Sequence, residues 1–89
     1  MNARQLGRFS ITNDMLINQP EVVAEIFAIL KIIPVRAEQM FATDTIEYTA
    51  ISERFEEVLR GHIPPLYKFN IDQSEAGNVE LVEVERVVE

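Results

Sequence analysis

The chain has 89 residues, with 15 acidic and 8 basic side chains, a net charge of −7 and 47% hydrophobic residues. That length holds one domain, and a domain so small buries only roughly 60–65% of its unfolded surface, which leaves a thin core. With no Cys, disulfides, thiolate metal sites and a cysteine nucleophile are excluded. The single His62 cannot build a His-rich metal site, and net acidity argues against a duplex-DNA binder, which needs Lys and Arg to displace counterions from phosphate.

The N-terminus is polar and carries Arg4 and Arg8 with no apolar run behind them, so no signal peptide is expected. The longest apolar stretch, around Ile26 to Leu30, falls far short of the roughly 20 residues that span a bilayer. The expectation is a cytoplasmic protein without a membrane partner.

Residues 1–9 read as a loose N-terminal arm that Phe9 and Ile11 anchor. A short helical turn is predicted over residues 13–18, with Thr12 or Asn13 as its N-cap. The main helix is predicted over residues 20–31. Pro20 suits a first turn because its missing N–H is not needed there, and Glu21 complements the helix dipole. Val22, Ile26, Ile29 and Leu30, with Val23 and Phe27, recur at helical spacing. Pro34 then forbids continuation and pushes Ile33 to an extended conformation.

Residues 35–51 predict a hairpin. With the turn at Thr43-Asp44, Val35, Ala37, Gln39, Phe41, Ile46, Tyr48 and Ala50 share one face. Arg36, Glu38, Met40, Glu47, Thr49 and Ile51 share the other. Thr-Asp is not a preferred two-residue turn, so a four-residue loop is the alternative. Residues 52–65 form a connector. Its first part is either a short helix capped by Ser52 and ended by Gly61, or a loop that pins Phe55 and Val58 to the core. Pro64 and Pro65 make its exit stiff and extended. A second hairpin is predicted over residues 66–88. Tyr67, Phe69 and Ile71 alternate with Lys68, Asn70 and Asp72, a polar turn holds Gly77-Asn78, and a Val-rich strand follows. The fold class is therefore α+β: an antiparallel sheet of three to four strands, in two hairpins, packed by one main N-terminal helix.

Chemistry-bearing sets are sparse. Ser10, Ser52 and Ser74 have no base beside them in the pattern, and His62 sits in a Pro-bound connector. Glu38 and Glu47 fall on one hairpin face near Arg36. They offer an acid/base pair for a small hydrolase, the least favoured function, against the plainer reading of a cross-strand charge cluster. No glycine-rich phosphate loop exists, and no cofactor or metal is expected. Arg36, Arg54, Arg60 and Lys68, with Tyr67, are candidate ligand-binding residues that could converge on a nucleotide across an oligomer. Ordinary surface charge is the plainer reading of them.

Residues 72–89 hold Asp72, Glu75, Glu80, Glu83, Glu85 and Glu89 against one Arg86. The acidity is thus concentrated in the last strand, and the exclusion of nucleic acid weakens for the rest of the chain. Alternating Glu on a Val-rich strand guards its edge or masks a basic partner. Val82, Val84, Val87 and Val88, with Met40 and Ile51, leave apolar surface that predicts a homodimer or larger assembly.

The hairpin Val35-Arg36-Ala37-Glu38 … Thr45-Ile46-Glu47-Tyr48 is followed by Phe55-Glu56-Glu57-Val58, Gly61 and Ile63-Pro64-Pro65-Leu66-Tyr67. With the opening Ile11-Thr12-x-x-Met15-Leu16, the chain resembles small uncharacterised accessory proteins of tailed bacteriophages and prophages. The resemblance implies a viral source and a non-enzymatic protein that binds stoichiometrically in the host cytoplasm. It also favours the loop reading of residues 53–60. The expected function is counter-defence, by sequestering a signalling nucleotide at an oligomer interface or by blocking a host protein. A virion structural or assembly accessory is the alternative.

Overall fold

The computed structural model describes residues 3–59 and 61–88. The order of elements is β1 (Ala3–Thr12), α1 (Asn13–Asn18), α2 (Pro20–Leu30), β2 (Ile33–Met40), β3 (Thr45–Ile51), β4 (Glu57–Leu59), β5 (Tyr67–Gln73) and β6 (Val79–Arg86). Four strands form one sheet in the order β2-β3-β1-β4, and β5 pairs with β6 in a second, two-stranded sheet. Every ladder is antiparallel. The fold is α+β, as the element pattern predicts. The two hairpins lie in different sheets rather than in one.

The expected loose arm over residues 1–9 is corrected. From Ala3 onward it is the first part of β1, which pairs with β3 on one side and β4 on the other. Met1 and Asn2 lie outside the described residues. The physical reason is a period of two. Gly7, Phe9 and Ile11 are buried, while Arg8, Ser10 and Thr12 alternate with them and are more exposed. Two flanking strands satisfy the backbone of this polar-looking segment, which its composition alone disguises.

The chain leaves β1 through Thr12, whose Oγ1 accepts from the Met15 N–H at 3.1 Å and so caps α1. Pro20 opens α2, and its apolar stripe buries Val22, Val23, Ile26 and Leu30. Ile29, on the predicted stripe, stays 43% exposed. Lys31 ends the helix in the left-handed region at φ 51°. The Ser52 hydroxyl supports this end by donating to the Leu30 carbonyl at 2.7 Å, in a site only 2% exposed. Ser52→Ala leaves that carbonyl unpaired, and the expected cost is about 1–2 kcal/mol. Thermal denaturation should show a Tm lower by roughly 5–10 °C; an unchanged Tm would contradict the role.

The first hairpin closes through the four-residue alternative, residues 41–44. Met40 faces Thr45, Glu38 faces Glu47 and Arg36 faces Thr49, with a bulge between Pro34 and Arg36. This register differs by two residues from the one a Thr43-Asp44 turn dictates. A shift of two preserves the faces, because the side-chain period is two. The described residues between 52 and 65 contain no helix. Instead Glu57–Leu59 forms the short strand β4 against the start of β1. Ser52 therefore caps no helix of its own; its Oγ accepts from the Arg54 N–H at 3.2 Å.

The core lies between the four-stranded sheet on one side and α2 with the β5-β6 hairpin on the other. Phe9, 1% exposed, is its hub. Its ring centroid lies 4.8 Å from Phe69, 5.3 Å from Tyr48 and 5.7 Å from Phe27. Phe55 and Tyr67 stack at 4.8 Å over Gly7. The Glu25 carboxylate accepts from the Val79 N–H at 2.6 Å and ties α2 to β6.

Candidate functional site

The two sheets touch along β1 and then part. The Arg8 N–H donates to the Pro65 carbonyl at 2.9 Å, and Arg8 forms a parallel bridge with Leu66. Among the described residues, the ladder on this edge of β1 ends there. β1 continues toward α1 while β5 turns away to pair with β6. The wedge between them is a cleft of about 340 Å³. Phe9, Ile11, Met15, Ile26, Phe69 and Ile71 supply its apolar walls. Lys68 borders it, with its ammonium 3.6 Å from Glu85 on the outer face of the hairpin.

The cleft exists because of local sequence. Phe9 and Ile11 alternate on β1 toward the core, and Phe69 and Ile71 do the same on β5. Pro64 and Pro65 hold the segment before β5 extended; the Arg8 guanidinium fastens it to β1 by donating from Nε to the Pro64 carbonyl at 2.7 Å. Alternation in the sequence marks these residues as core. Their meeting in an open wedge depends on two strands of separate sheets, which local pattern does not reveal.

Of the predicted ligand-binding residues that the structure describes, the cations Arg36, Arg54 and Lys68 do not come together. Tyr67 is corrected to a core residue, 5% exposed, stacked on Phe55, with its hydroxyl accepting from the Glu56 N–H at 2.9 Å. Arg36 lies on β2 at the far edge of the large sheet, 3.2 Å from Glu38. Arg54 is exposed in the turn after Ser52. Of the described members of this set, Tyr67 and Lys68 border the cleft. Arg60 lies outside the described residues.

Glu38 and Glu47 are direct cross-strand partners. Each has a guanidinium of its own: Arg36 beside Glu38 at 3.2 Å, and Arg8 beside Glu47 at 3.5 Å. This is the charge-cluster arrangement. Among the described residues, no group of three or more His, Asp and Glu side chains is placed to hold a metal ion, and no helix is long and apolar enough to cross a membrane.

The predicted interface residues divide. Val82 is corrected: it is 1% exposed and belongs to the chain's own core, and Val84 packs against that core. The strand turns Val82 and Val84 inward because they sit opposite Ile71 and Phe69. Met40, Ile51 and Val87 are half-buried, and Val88 is exposed. Sequence reading missed other exposed apolar groups, among them Ile33 at 60%, Val35 at 57% and Phe41 at 89%. The acidic residues Glu83 and Glu85 stand on the outer face of the second hairpin, opposite Asn70 and Lys68.

Comparison of the chain with known protein families, with curated proteins and with solved structures finds no match.

Proposed function

We propose that this chain acts by stoichiometric binding, as an accessory protein of the tailed-phage kind in the host cytoplasm. It blocks a host protein by taking an apolar side chain of that protein into the cleft between β1 and β5. The observation that supports this reading is the composition of the cleft. Binding pockets are mostly apolar, with a few polar groups that set orientation. Here Phe9, Ile11, Met15, Ile26, Leu66, Phe69, Ile71 and Val87 line a space of about 340 Å³, and Lys68 lies at its margin. A nucleotide-sequestering version has less support. Of the candidate cations among the described residues, only Lys68 borders the cleft, and its ammonium is paired with Glu85 on the outer face.

Anilinonaphthalenesulfonate tests the site, because its rings suit the apolar walls. Fluorescence titration should saturate at one probe per chain. Leu66→Trp, which enlarges a residue at the cleft wall, should weaken binding by at least about tenfold, a loss equivalent to ~1.4 kcal/mol. The Tm of the variant should stay near that of the parent. Binding that never saturates, or that Leu66→Trp leaves unchanged, would overturn the assignment.

A further inference from the structure

Three of the exposed apolar groups, Ile33, Val35 and Phe41, lie on β2 or directly after it. β2 ends the order β2-β3-β1-β4, so among the described residues one of its edges has no strand beside it. Ile33 and Val35 on β2 and Phe41 just beyond it are all more than half exposed. An open edge of this length is a template for another strand.

The direction of its backbone groups can be followed across the sheet. The Arg8 N–H points away from β3, to Pro65. In an antiparallel ladder, hydrogen-bonded and non-bonded pairs alternate. The Arg8–Thr49 pair is therefore non-bonded, and the Thr49 backbone faces β2. Thr49 opposes Arg36, so Arg36 turns its backbone inward to β3. Ala37 and Gln39 then turn theirs outward, to the open edge.

We infer that β2 pairs antiparallel with β2 of a second copy about a twofold axis at Ala37. Outward-facing residues must meet outward-facing residues, which restricts the central registers to three. Centring on Arg36 sets Arg36 against itself. Centring on Glu38 sets Glu38 against itself. Centring on Ala37 sets Arg36 against Glu38 of the second copy, twice, on the same face of the joined sheet. Opposite charges across a strand pair attract, and like charges there repel, so charge selects the Ala37 register. Pro34, with no N–H, and the bulge beside it end the ladder. The pairing closes on itself, because a twofold contact uses the β2 edge of both copies. This surface is distinct from the cleft, so its test is independent of the binding reading.

Sedimentation equilibrium of the full chain tests it. The parent should be a dimer. Arg36→Glu places Glu against Glu38 in both symmetry-related pairs and should weaken the dimer roughly tenfold or more. The double variant Arg36→Glu with Glu38→Arg exchanges the charges and should restore it. Ala37→Pro removes an N–H that points only to the open edge, a place where a strand tolerates proline; it should give a folded monomer by circular dichroism. A parent that stays monomeric at millimolar concentration would overturn the proposal. So would equal association of the single and double charge variants, or a dimer that survives Ala37→Pro.

Discussion

Phe9→Ala is expected to lower the free energy of unfolding by about 4 kcal/mol. The side chain is 1% exposed, and four other aromatic rings have centroids within 6.3 Å of its own: Phe27, Tyr48, Phe55 and Phe69. Those rings come from α2, β3, the turn before β4, and β5. Removing Phe9 therefore opens a void where the two sheets and the helix meet. No single element can close it, because each is held by its own ladder or helix bonds. A domain of this size has roughly 5–15 kcal/mol of stability in total, so the variant should lose from about a quarter to about four-fifths of it. Urea denaturation followed by circular dichroism measures the loss. A change below about 1 kcal/mol would mean that the hub is not where the core is held.

The second large effect comes from the smallest residue. Gly7→Ala should cost about 3 kcal/mol, the upper range for inserting one methyl into a packed core. A Cβ at this position would stand 2.7 Å from two ring atoms of Tyr67 and 2.8 Å from Cγ of Phe55. Neither ring is a free end that can swing aside. They stack on each other at 4.8 Å, and the Tyr67 hydroxyl is held by the Glu56 N–H. Gly7 is thus where a backbone strand lets two aromatic rings lie directly on it. Ser10→Ala, on the same strand but exposed, is the control and should change stability by no more than about 0.5 kcal/mol. The two variants compared by thermal denaturation separate crowding at Gly7 from a general effect on β1. Similar Tm values would refute the close approach.

Both predictions concern a strand that composition hides. The segment before Thr12 carries Arg4, Gln5 and Arg8, which reads as solvated arm. Its alternation of Gly7, Phe9 and Ile11 is a strand signal that competes with that polarity, and the glycine breaks the run of side chains that would have made it plain. By contrast α2 was legible because Pro20, Glu21 and the spacing of Val22, Val23 and Ile26 all agree. The inner face of β3 was legible because Ile46, Tyr48 and Ala50 alternate with polar neighbours. β4 was not, since Glu57–Leu59 is a strand only through the edge that β1 offers it. For Val82 and Tyr67, alternation says which residues share a face. It does not say which of two faces meets the core, and here the mixed faces of β6 are decided by Phe69 and Ile71 across the hairpin.

The candidate site follows the same division. Its walls are core residues whose burial the pattern predicts, but the wedge itself arises because β5 leaves β1 after Leu66 to pair with β6. The candidate cations fail to gather because Arg36 and Lys68 belong to different sheets. The open β2 edge was likewise invisible locally. Val35 and Phe41 read as inward residues of a hairpin, and they are exposed because no element covers that side of β2.

Native mass spectrometry of the chain purified from the cells in which it acts is the most direct measure of stoichiometric binding through the cleft. The spectrum should show one retained molecule or partner per chain, and Leu66→Trp should abolish it while leaving the fold unchanged. A bare parent chain, or a retained partner that persists in Leu66→Trp, would contradict the account.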